Sequence, residues 1–228
     1  MKSIITVAIL CLVCMFSSCT KHEPSNTGLT PRTILVYMSA NNSLGKNHFD
    51  QDDINEMITA AKNNTFNGGR LIVYHHAYGS KQPQLKEITA DGEKVIKTYD
   101  ISDSSADTAR MSRVMIDAKA AAPAQNYGLI LWSHGSGWLQ DGRSAQISKA
   151  DVPVMYSFGQ DILPDNTSKW MNVTSLAKVL DRQGFDFVYF DCCYMAGVEI
   201  AYELRNVTRR IVASATVLME EGMPYEFN

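Results

Sequence analysis

Four residues stand where covalent chemistry could start: His134 and Gly135 in "LILWSHG", and Cys192 and Cys193 in "FDCC". Each pair closes an apolar run that reads as a buried parallel strand. A thiolate is the attacking species in thiol chemistry and a nearby imidazole promotes it. A cysteine and a histidine at the same edge of adjacent strands can therefore form the nucleophile and base of a cysteine hydrolase. Gly135 has no side chain to block approach, so its N–H could join that of the nucleophilic cysteine in holding an oxyanion. A helix starting directly after the cysteines would add its positive end.

Vicinal cysteines rarely bridge each other without strain, so one of the two is expected to carry the chemistry. Other readings stand beside this one. A free cysteine is most often a small buried hydrophobe, and a strand-end histidine a turn residue. Reversible oxidation of Cys192 with Cys193 would make a redox protein. Two adjacent thiols and a distant histidine lack the spacing of a zinc site. His75 and His76 also close a strand and are read as structural, and the acidic run Asp50 to Asp53 as a helix cap.

The elements that must position these residues follow from periodicity. "TILVYM" and "GRLIVYHH" are strands flanking an amphipathic helix in "FDQDDINEMITAAKN", one βαβ unit. "PQLKEITADGEKVIKTYD" is a hairpin about Asp91-Gly92, expected outside the parallel sheet. "SADTARMSRVMIDAKAAAP" is a helix, and "YGLILWSHGSGW" a central strand ending in a Gly-Ser-Gly loop. Residues 139–172 read as a long functional loop or insertion. Then "VTSLAKVLDRQG" is a helix, "FDFVYFDCC" a strand, "YMAGVEIAYELRN" a helix and "RRIVASA" a strand. The alternation implies an α/β sandwich around a mostly parallel sheet, with ligands gathering beyond the carboxyl ends of its strands.

With 228 residues, a net charge of -3 and 45% hydrophobic residues, the chain suits one globular domain, and nothing in it calls for nucleic acid. Its start joins Lys2 to an apolar run, Ile4 to Phe16, too short to span a bilayer, and then to "FSSC". That layout resembles a bacterial lipoprotein signal, which predicts a signal peptide over 1–18, acylation of Cys19, a polar tether over 19–32 and a folded domain over 33–228. An uncleaved signal anchor is the alternative. The expected location is the cell envelope, with the protein lipid-anchored to a bacterial membrane at the surface or in the periplasm, or secreted. Only Cys192 and Cys193 then remain in the domain, which excludes a disulfide framework.

"ILVYMSANNSL", "LILWSHGSGW", "FDCCYMAGVE" and the later "GMPY" occur in the order found in the clostripain-type cysteine peptidases, and the chain resembles that caspase-like family from Thr33 to Tyr225. The resemblance implies a caspase-like three-layer sandwich with helices on both faces of a mostly parallel sheet. Because family members run on beyond "GMPY", that sheet is expected to be C-terminally incomplete, the N-terminal part of a longer domain.

The resemblance also implies roles. His134 matches the catalytic histidine and Cys193 the nucleophile, while Cys192 stands where alanine is usual. Asp191 matches an acid that helps form the pocket for a basic P1 side chain, and Glu221, preferred over Glu220, a second one. Relatives cut themselves between histidine and cysteine, which points to Lys149 ahead of Arg143. No cofactor is required for the chemistry, no metal ligand is assigned, and calcium enters only because several relatives respond to it. The expectation is a monomeric cysteine endopeptidase acting on peptides or proteins after Arg or Lys; the alternative is a non-catalytic surface lipoprotein that uses the scaffold for binding.

Overall fold

The computed structural model describes residues 29–79, 82–137 and 157–226. At its centre runs β1 (Thr30–Ser39), whose alternate side chains bury on opposite faces: Leu35 and Tyr37 on one, Val36 and Met38 on the other. Parallel to it lie β2 (Arg70–His76) on one side and β5 (Ala124–Trp132) on the other. Beyond β5 come β9 (Phe185–Asp191) and the two-residue β10 (Ile211–Val212), also parallel. The chain leaves β1 for one side and returns to the other, so the strand order reverses beside it, and the crevice for ligands opens at the carboxyl ends of β1 and β5.

The hairpin of β3 (Gln84–Thr89) and β4 (Gly92–Thr98) turns where the sequence suggests, but does not lie outside the sheet. β3 pairs antiparallel with β2, giving one seven-stranded sheet in the order β10-β9-β5-β1-β2-β3-β4. A free β2 edge would leave a row of unpaired backbone groups, and the hairpin satisfies it.

Helices cover both faces. α2 (Phe49–Lys62) sets Ile54 and Met57 against Val36, Met38, Val73 and Ile130. On the opposite face α3 (Thr108–Ala121), α4 (Val173–Leu180) and α5 (Val198–Leu204) bring Met111, Met115, Leu176 and Leu204 onto Tyr37, Tyr74, Leu129 and Phe190. The result is the three-layer α/β sandwich with a mostly parallel sheet that the alternation implies.

Two further expectations change. Within the stretch read as a long loop, β7 (Ser157–Ile162) pairs antiparallel with β6 (Gly135–Gly137) on one side and with β8 (Ser168–Asn172) on the other, forming a separate three-stranded sheet. The helix expected directly after the cysteines starts only at Val198, and residues 192–197 form turns with Tyr194 in the left-handed region at φ 62°. The helix therefore does not begin on the cysteine, where its positive end was expected.

Candidate active site

Trp132 on β5 pairs with Asp191 on β9, so His134 and Cys193 each lie two residues beyond the same rung of adjacent parallel strands. The two are half-buried. Gly135 closes the gap: a Cβ built on it would lie 2.5 Å from the Cys193 carbonyl oxygen and 3.1 Å from Cys192 Sγ. Gly137, at φ 55°, meets the next residue in the same way, a Cβ there falling 2.5 Å from that of Tyr194. The small sheet's first strand thus lies bare against the loop of residues 192–194, and only glycine permits the approach.

The two cysteines differ in their surroundings. Cys192 is buried in the core that includes Phe190 and Met195, and burial, with the charges of Asp191 and Cys193 adding, pushes its thiol well above the usual range. It stays protonated and packs. Cys193 Sγ accepts the Leu218 N–H at 3.4 Å and stands 3.8 Å from the Leu218 carbonyl. Its loop is tied to the following segment by Tyr194 N–H to Thr216 O at 3.1 Å and Ala196 N–H to Ser214 O at 2.9 Å.

His134 Nε2 stands 2.8 Å from the hydroxyl of Ser43, the first residue of α1 (Ser43–Lys46) after β1. Burial holds the imidazole below its ordinary pKa, with the charge of Glu220 partly offsetting. The ring is therefore neutral at pH 7, the state in which it can take a proton from a thiol.

The acids beneath follow a pattern the sequence does not show. Asp191 is 4% exposed and accepts the Tyr225 hydroxyl at 2.8 Å and the Met223 N–H at 3.2 Å. Burial raises its pKa and these hydrogen bonds partly offset the rise. Gly222 crosses it so closely that a Cβ would meet its carboxylate at 3.0 Å. Asp191 thus anchors a strap, residues 218–225, that carries Leu218 to Cys193. Glu220 and Glu221 are exposed on that strap, and Glu220 is the one whose charge reaches His134.

The acidic run at the start of α2 does not cap it. His48 occupies the N-cap position, while Asp50 and Asp53 point inward and are buried. Asp50 pairs with His75 Nε2 at 2.7 Å, and Asp53 accepts the Trp132 indole N–H at 2.5 Å. Burial pushes Asp53 up to about 8. His76 sits against Ser105 at 2.7 Å. The (i, i+3) spacing of Asp50 and Asp53, on the face that carries Ile54 and Met57, was the available signal.

Cys19, Arg143 and Lys149 lie outside the described residues. Among those described, no group of three or more His, Cys, Asp or Glu side chains is arranged to hold a metal ion, and no helix is long and apolar enough to cross a membrane.

Comparison with known proteins shows the family. No curated protein matches the chain. A secreted C11 cysteine protease from Bacteroides thetaiotaomicron, solved with an irreversible peptide inhibitor, is 34% identical with a TM-score of 0.69. That match covers 86% of this chain and 52% of that one. An inactive zymogen C11 protease from Parabacteroides distasonis is 30% identical at TM-score 0.69, over 87% of this chain and 52% of its own. A second secreted Bacteroides thetaiotaomicron enzyme, at 23% identity, shares the fold, with a TM-score of 0.71 over 87% and 56%. The chain spans about half the length of these relatives. The model of the clostripain family of C11 peptidases matches residues 36–228, and the chain belongs to that family.

Proposed function

We propose that this protein is a cysteine peptidase working through Cys193 and His134. The observation that carries the reading is the pairing of Trp132 with Asp191, which sets the two side chains past one rung, with Gly135 pressed on the cysteine's own peptide. His134 takes the Cys193 proton, and the thiolate adds to the scissile carbonyl carbon. The resulting oxyanion receives N–H groups from Gly135 and Cys193. Collapse breaks the C–N bond, and the amine leaves with the proton held by His134. Water, giving a proton to the imidazole, then hydrolyses the thioester and the thiolate departs.

For specificity we propose a basic P1 residue. Residues 211–228 contain no lysine or arginine, and Glu220 and Glu221 are exposed beside the site. A reachable carboxylate would pair with a P1 cation by a charge-assisted hydrogen bond. Asp191 joins such a pocket only where the strap draws back from it. Also proposed, on the sequence, are lipid attachment at Cys19 to a bacterial envelope membrane, action as a monomer on peptides or proteins, self-cleavage after Lys149 and a response to calcium.

The test is turnover of peptides bearing Arg, Lys, Asp or Asn at P1, with covalent labelling by a peptide electrophile. Cleavage after Arg or Lys that disappears in Cys193→Ala and persists in Cys192→Ala supports the proposal. Turnover surviving Cys193→Ala, or an unlabelled Cys193 in a chain without turnover, overturns it.

A further inference from the structure

The hydrogen bond between Ser43 and His134 involves a residue that no part of the proposed mechanism uses. Ser43 sits on a built pedestal. Its neighbour Asn42 is fully buried; its amide donates to Ser39 O at 2.8 Å, Gln160 O at 3.0 Å and Ser133 Oγ at 3.2 Å, and its Oδ1 caps α1 by accepting the Leu44 N–H at 2.9 Å. Ser133, the residue before the histidine, donates in turn to Ser39 O at 2.8 Å. Two residues on, Gly45 lies so close to the end of β1 that a Cβ would fall 2.0 Å from Ala40 O. The turn carrying Ser43 and the turn carrying His134 are thus one hydrogen-bonded unit linking β1, β5 and β7.

A histidine that shuttles a proton must keep one ring nitrogen for the reaction and hold the other fixed. At 2.8 Å from Ser43 Oγ, Nε2 is the fixed one. A hydroxyl that accepts from Nε2–H can do so in both states of the ring, neutral and protonated, because Nε2 keeps its proton throughout. We propose that Ser43 is a positioning residue for the peptidase reaction: its hydroxyl holds His134 in the Nε2–H tautomer, leaving Nδ1 as the nitrogen that takes the proton from Cys193 and returns it to the leaving amine. This rests on the peptidase reading above. It adds the identity of the reacting nitrogen and a residue near the start of the domain on which it depends.

The geometry also explains why the arrangement suits a half-buried imidazole. Burial disfavours the imidazolium and Glu220, the charged side chain that acts on the ring, favours it. A hydroxyl acceptor adds no formal charge, so it fixes the ring without overriding that balance.

The test combines two readouts on the full chain. Ring 15N spectra of histidine-labelled protein, with His134 assigned by the signal lost in His134→Gln, report which nitrogen carries the proton. Steady-state kinetics report kcat and KM. The expected result is a neutral His134 in the Nε2–H form, with Ser43→Ala raising the Nδ1–H share. In that variant kcat falls about tenfold with KM unchanged, within the range that a positioned proton-transfer group controls. Ser43→Thr, which keeps the hydroxyl, restores both. A wild-type ring in the Nδ1–H form, or a tautomer ratio that Ser43→Ala leaves unchanged, overturns the proposal. So does an unchanged kcat in an active enzyme. If the chain turns over no peptide, the peptidase reading fails on that result while the tautomer alone decides the role of Ser43.

Discussion

Replacing Asp53 by asparagine should flatten the decline of stability on the alkaline side. Asp53 is 3% exposed and holds the Trp132 indole, two residues before His134. Burial is the main cause that lifts its pKa from 3.8 to about 8; the indole hydrogen bond opposes the rise, while Asp191, Glu56 and Asp52 add to it. Because the folded protein binds this proton more tightly than the unfolded chain, stability from this group is present at acid pH and is lost as pH rises through the folded value. Between pH 6 and pH 9 the loss amounts to about 1 to 3 kcal/mol. Asparagine keeps a carbonyl oxygen for the indole and has no such proton, so the variant lacks this share of the slope. Asp191, raised in the same direction, acts in both proteins, which makes the difference between them the quantity to measure. Urea unfolding of both at pH 6 and pH 9, at equal ionic strength, supplies it. Equal losses in the two proteins would refute the placement of a protonated Asp53 against the Trp132 indole.

Gly135→Ala puts a methyl group into the Cys193 peptide, so we expect catalytic efficiency to fall at least about tenfold while overpacking costs about 1 to 3 kcal/mol of stability; kinetics and thermal unfolding check the pair. Iodoacetamide should modify Cys193 and spare Cys192, whose buried thiol stays protonated; peptide mapping that finds Cys192 alkylated in folded protein would contradict this. Tyr225→Phe removes one hydrogen bond to Asp191, which should lower stability at neutral pH by about 1 to 2 kcal/mol and loosen the strap, read as faster amide exchange at Leu218 and Met223.

The sequence made the site legible where side-chain character follows directly from position in a strand. The apolar runs of β1, β5 and β9 announced buried strands, and the ends of β5 and β9 drew attention to His134, Gly135 and the Cys192-Cys193 pair, between whose members only the family resemblance chose. The features it concealed depend on backbone turns or distant partners. "SFGQDI" interrupts its alternation at Gly159, φ 79°, so β7 has no clear period. Tyr194 gives no warning that it takes a left-handed turn and postpones α5. Asp50 and Asp53 read as a helix cap until His75 and Trp132 arrive from β2 and β5. Ser43 is one serine in a polar loop, and its hydrogen-bond partner is a histidine 91 positions away.

The strap over Cys193 has a consequence for the order of assembly. Tyr225, at its far end, donates its N–H to Glu56 on α2 across 169 positions of sequence. Contacts of such separation close large loops, and they become favourable only once the partners they join are already in place. The β1-α2-β2 unit is local and can form early, but the peptide that touches the thiol depends on that remote tie. A folding intermediate with its sheet complete would therefore still present Cys193 without the Leu218 N–H, and thiol reactivity measured during refolding should change in a later phase than the one that restores secondary structure.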